Sequence, residues 1–188
     1  MDDLPLNQPS QMPEGGWFAR FLPRSQSKAV FLFVMTCYSW TLSTLTARLI
    51  RLLGFWPTTD PLAHVRQLIR AGGIDARTIA LARLLVGPLL LAPVFESFVV
   101  IGVIELLRRL KFSIAVQITG SVSLSCFLHG PEHPVQWLLV APLFLIGAAA
   151  YIYWRQISFW IGAQMIILLH FIHNSIVSLN DLAEYLNR

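Results

Sequence analysis

Four polar side chains stand in stretches of sequence that are otherwise apolar, and their types suit hydrolytic chemistry. Glu96 follows Leu89-Leu90-Leu91-Ala92-Pro93-Val94-Phe95 and precedes Phe98-Val99-Val100-Ile101, with no basic residue close by in the chain. His129 closes a second apolar run. His170 and Asn174 lie four apart in a third run, which puts them on one face of a helix, and His173 flanks that face. Ionisable groups inside apolar spans are costly to bury and by default mark functional sites. A lone intramembrane histidine is as often a neutral ring bonded to a neighbouring helix. A carboxylate, two histidines and an amide together are harder to assign to packing.

The chemistry open to such a set is specific. A buried carboxylate can take a proton from water, and a histidine can share that task or orient the water. A second histidine and an asparagine amide can donate hydrogen bonds to the oxyanion that forms when water attacks an amide carbonyl. Peptide-bond hydrolysis then needs no nucleophilic serine or cysteine. Alternatively, Glu96, His129 and His170 could hold Zn²⁺ as a His₂Glu site with an open water position. The residue types leave both routes open, because neither H-E-x-x-H nor G-x-S-x-G occurs.

The elements that must position these groups are membrane spans. Of 188 residues, 55% are apolar and only 13% are Asp, Glu, Lys or Arg, about half the charged share of a soluble domain. The mean hydropathy of +0.62 agrees. A soluble globular enzyme is excluded. The net charge of +4 is spread thinly, with no basic patch interleaved with aromatics, so no nucleic-acid partner is expected. Cys37 and Cys126 both sit in apolar runs, which argues against a disulfide framework.

A crossing helix needs roughly 20 mostly apolar residues. Five runs qualify: Ala29 to Ile50, Ile79 to Leu107, Phe112 to His129, Val135 to Trp154, and Ser158 to Leu179. The expected fold class is therefore an all-α integral membrane protein, a bundle of about five transmembrane helices with a polar intramembrane cavity. The second run would be about 43 Å long as one straight helix, and Pro88 and Pro93 predict a kink near Pro93, just before Glu96. Residues 1–27 are polar and proline-rich and read as a mobile tail ahead of a membrane domain at 28–188. Asp60-Pro61 and Gly72-Gly73 bound a predicted interfacial helix. Trp56, Trp137, Trp154 and Trp160 read as interfacial belts. Glu105 and Arg109 are spaced for an ordinary i, i+4 ion pair. The dense cluster Arg108, Arg109 and Lys111 is expected on the cytoplasmic side.

Three stretches resemble the motifs of the CPBP family of intramembrane proteases, the CAAX-processing and bacteriocin-processing (ABI) proteins. The family's Ala-Pro-x-x-Glu-Glu-x-x-x-Arg-Gly pattern looks like Ala92-Pro93-Val94-Phe95-Glu96-Ser97-Phe98-Val99-Val100-Ile101-Gly102. Its Phe-x-x-x-His looks like Ser125-Cys126-Phe127-Leu128-His129, and its His-x-x-x-Asn is matched by His170-Phe171-Ile172-His173-Asn174. The resemblance covers roughly residues 80–180 and keeps motif order. Ser97 stands where the family has a second Glu, Ile101 where it has Arg, and Ser125 where it has Phe.

The resemblance implies an intramembrane endopeptidase in which Glu96 and His129 activate water and His170 and Asn174 hold the oxyanion. Ser97 and His173 would support them, whereas Glu132 and His133, in a proline-bounded turn, read better as an ordinary interfacial loop. It implies a peptide or membrane-protein substrate: a prenylated CAAX-type terminus or, for a bacterial source, a peptide that is matured or bound up with self-immunity. The expected location is a multi-pass position in the lipid bilayer of a bacterial cytoplasmic membrane. The missing second Glu and Arg favour, as the alternative, a catalytically silent relative that binds a peptide or partner helix.

Overall fold

The computed structural model describes residues 27–55, 86–129 and 134–186. Among them every regular element is helical: α1 (Lys28–Leu52), a π-helical turn (Gly87–Leu91), α2 (Ala92–Arg109), α3 (Ile114–Leu128), α4 (Pro134–Arg155) and α5 (Phe159–Leu186). The expected tail, Trp56, the interfacial helix with Arg66 and Arg70, and the turn with Glu132 and His133 lie outside the described residues.

Four helices are long and apolar enough to cross a membrane: Lys28–Leu52, Leu89–Arg109, Val135–Arg155 and Phe159–Asn180. They mark the chain as a multi-pass membrane protein. The helix from the third apolar run is shorter than a span. It begins only at Ile114, because Ser113 is extended and its hydroxyl accepts from the Val116 amide, and it stops at Leu128. Fifteen residues reach about 22 Å, against the ~30 Å of hydrocarbon.

The overlong second run is interrupted where the prolines predict, one turn earlier than Pro93. Pro93 has no N–H to give the carbonyl four residues back, and the backbone widens to a π turn with the Ala92 amide on the Gly87 carbonyl. From Leu89 to Arg109 the span measures about 31 Å, close to the ~30 Å of hydrocarbon.

α4 occupies the middle of the bundle, touching each of the other four helices. Its sequence allows this. Gly147 and Ala148-Ala149-Ala150 present almost no side chain, so neighbouring backbones close in on both sides. On one side Ala148 joins Val100, Ile104, Ile118, Phe144, Tyr151 and Ile166; on the other Ala149 and Ala150 meet Phe31, Met35, Met165 and Leu169. Trp154, read from the sequence as an interfacial ring, is instead buried and meets Phe31 edge-on. Trp160 is 67% exposed and does face outward.

The C-terminal ends of α2 and α4 are joined by a charged clamp. Glu105, near the end of α2, accepts from Arg108, from Arg155 at the end of α4, and from the Tyr151 hydroxyl at 2.8 Å. The expected Glu105–Arg109 pair is not the one formed. Arg108 takes the carboxylate at i+3, and Arg155 reaches it from another helix. Glu96 lies nine residues earlier, about 13 Å down α2 from this clamp.

Candidate active site

Glu96 sits on the first turns of α2, just past the π turn, with its side chain 29% exposed. One of its carboxylate oxygens, Oε2, lies 3.2 Å from His129 Nε2 and 3.3 Å from His170 Nε2. Three ionisable side chains far apart in the chain, carried by α2, the end of α3 and the middle of α5, thus meet at one atom. His129 is held there because it is the C-cap of α3, still in right-handed helical geometry, and its ring reaches back to the Ser125 carbonyl one turn earlier. His170 is buried and is brought to Glu96 by the antiparallel packing of α2 and α5.

The hydrogen-bond pattern requires a proton between Glu96 and His129. His129 Nδ1 lies 2.8 Å from the Ser125 carbonyl. A carbonyl oxygen only accepts, so Nδ1 is the donor. In a neutral ring Nε2 would then be a bare acceptor facing a carboxylate oxygen at 3.2 Å, two lone pairs opposed. The contact needs a proton on Nε2 or on Oε2. Glu96 and His129 therefore share one proton beyond the ring's own, which gives a pair able to take a proton and to return it.

Phe144 forms the wall behind both rings, and sequence reasoning missed it. Its ring meets His129 edge-on at 5.0 Å and His170 at 5.7 Å, and it is 2% exposed. Nothing in the apolar run around it distinguishes Phe144 from Leu143 or Leu145. Beside it a small pocket is lined by Ser97, Leu143, Phe144, Gly147, Ile166 and His170. The Ser97 hydroxyl is wholly buried at this pocket and has no hydrogen-bond partner among the described residues; the Ser125 hydroxyl also lacks one.

Asn174 lies one helical turn beyond His170 and is half-buried. His173 turns away from Glu96: its Nδ1 is 2.9 Å from the Ser39 hydroxyl on α1, and Trp40 meets its ring edge-on. It ties α1 to α5. Ile101, one and a half turns beyond Glu96, is buried in the apolar core with Val100 and Ile104, so no cation from its own helix reaches the carboxylate.

No family model, no curated protein and no solved structure matches this chain. The site is read from its own geometry. For the zinc route, no group of three or more His, Cys, Asp or Glu side chains among the described residues is arranged to hold a metal ion. Both ring nitrogens address one carboxylate oxygen at hydrogen-bond distance instead. No step is routed through a metal.

Proposed function

We propose that the protein is an intramembrane endopeptidase of CPBP type, hydrolysing a peptide bond with water activated at Glu96 and His129. The observation that carries this reading is the convergence of His129 Nε2 and His170 Nε2 on Glu96 Oε2, within 3.3 Å. A general base must lie within hydrogen-bond reach of the water it deprotonates. The proton-sharing pair Glu96–His129 meets the other need, a group that accepts and then donates.

In the proposed reaction water attacks the scissile carbonyl carbon and its proton passes to the Glu96–His129 pair. His170 and Asn174 donate to the oxyanion. As the C–N bond breaks, the pair returns a proton to the leaving amine, so the pair ends as it began. His170 approaches Glu96 before substrate arrives, so its donation to an oxyanion requires the ring to exchange partners. The substrate would be a peptide or membrane protein presenting its bond at the depth of Glu96, within the bilayer.

A second reading has its own support. Ile101 fills core space, and Glu96 Oε2 is already occupied by two rings. Both features suit a silent relative that binds a peptide or partner helix.

The test is an inventory of new protein termini in membranes of cells carrying wild type or Glu96→Gln at equal expression. Termini that vanish in the variant support proteolysis and name the substrate. Unchanged termini with a folded variant would sink the enzyme reading in favour of the binding one.

A further inference from the structure

The strongest feature outside the Glu96 cluster is a concentration of positive charge at the far end of the bundle. Arg108 and Arg155 converge on Glu105, while Arg109 and Lys111 follow within three residues and are exposed. Two of these four cations contact the carboxylate, the five groups together carry a net charge of +3, and Glu105 is the sole acidic side chain described at this end. Lys28 begins α1 at the same end, since Phe31 packs on Tyr153 and Trp154.

The backbone at Lys111 is the telling detail. α1 and α2 end in the same way, with the amide two residues past the cap bonding back five residues: Phe55 to Ile50, and Phe112 to Leu107. This motif needs a left-handed residue, which favours glycine. α1 supplies Gly54 at φ 76°, whereas α2 places Lys111 there at φ 61°. A side chain is thus kept where it strains the backbone, and such strain points to a function for the side chain. The rim around it is apolar and exposed: Leu106, Leu110, Phe112, Ile157 and Trp160. Cations at the headgroup level above an apolar flank match one kind of ligand.

We propose that Arg108, Arg109, Lys111 and Arg155 form a binding site for the phosphate of an anionic phospholipid, whose acyl chains lie along Leu106, Leu110 and Trp160. Guanidinium forks suit phosphate oxygens, and basic clusters at helix ends bind lipid headgroups. The site is independent of any cleavage at Glu96.

The test uses the full chain in a neutral detergent, offered equal amounts of phosphatidylglycerol and phosphatidylcholine with the same acyl chains. Native mass spectrometry reads the ratio of the two lipids retained. The wild type should retain phosphatidylglycerol in clear excess. Lys111→Gly should lower that ratio about fivefold, the effect of one surface cation, while thermal stability stays level or rises because the strain is relieved. Lys111→Arg should keep the ratio, as should Arg48→Gln at the opposite end. Equal retention of both lipids by the wild type would overturn the proposal. So would equal losses in Lys111→Gly and Arg48→Gln, which would mean diffuse attraction. Displacement of the lipid by excess inorganic phosphate would overturn it in favour of a free-anion site.

Discussion

Glu96 is met by two imidazoles. Their chemistry sets what the site can do. An arginine holds its proton permanently, whereas His129, donating to the Ser125 carbonyl and facing Glu96, shares a movable one. The two rings keep their places because Phe144 fills the space behind them. Phe144→Ala should cost about 3–5 kcal/mol through the cavity it leaves and should abolish cleavage, whereas Phe144→Leu should cost under ~1.5 kcal/mol. Thermal unfolding in detergent and a terminus assay read the two effects separately. His173 is expected to behave differently from His170. Ser39→Ala leaves the buried His173 Nδ1 without its partner and should lower stability by about 0.6–2 kcal/mol, the range for hydrogen bonds between membrane helices. Cleavage should survive it. A loss of cleavage with unchanged stability would place His173 in the chemistry after all.

Helices meet here where side chains are smallest. A Cβ at Gly162 would lie 3.0 Å from the Arg155 amide nitrogen and 3.0 Å from the Tyr151 ring, and the first of these is backbone that cannot swing aside. Gly162→Ala should therefore destabilise by about 1–3 kcal/mol, and it should do so by pushing α5 away from the end of α4. At Gly147 the obstacle is the Ile166 side chain at 3.2 Å, which can turn, so Gly147→Ala should cost less. Comparing the two variants by thermal unfolding tests whether backbone approach, and not glycine content, governs this helix pair. α3 raises a different point. At fifteen residues it is too short to cross with the others, yet its length is what brings the C-cap His129 to the depth of Glu96 instead of to the far membrane surface.

The molecule is asymmetric along the membrane normal. One end gathers Lys28, Arg108, Arg109, Lys111 and Arg155, while the described residues at the other end include Arg48 and Arg51. Short loops rich in Arg and Lys stay in the cytoplasm, so the clamped end should face inward. A lone reporter thiol at Gln156→Cys, which is exposed in the α4–α5 link, should react with a membrane-impermeant maleimide only after the cells are opened, with Cys37 and Cys126 replaced. Labelling of intact cells would reverse the orientation. Glu96 then lies about 20 Å from the inner end of its span and about 10 Å from the outer, nearer the outer surface.

Composition and periodicity were enough to read a helical membrane protein, because apolar length is a one-dimensional property and the bilayer imposes one thickness. The prolines likewise announced the break before Glu96, since a missing N–H is local. Glu96, His129 and His170 stood out as polar groups in apolar runs, and the fold does bring them together. Other assignments depended on which helix lies beside which. His173 and Asn174 are neighbours in sequence, but the 100° turn between successive helical residues sends His173 to Ser39 on α1. Glu105 had a partner at i+4 in its own helix, and packing offered it Arg155 and Tyr151 from α4. Phe144 was one apolar residue among many until two imidazoles were set against its ring. Spacing along a chain registers contacts within one helix; contacts between helices arise only from their packing.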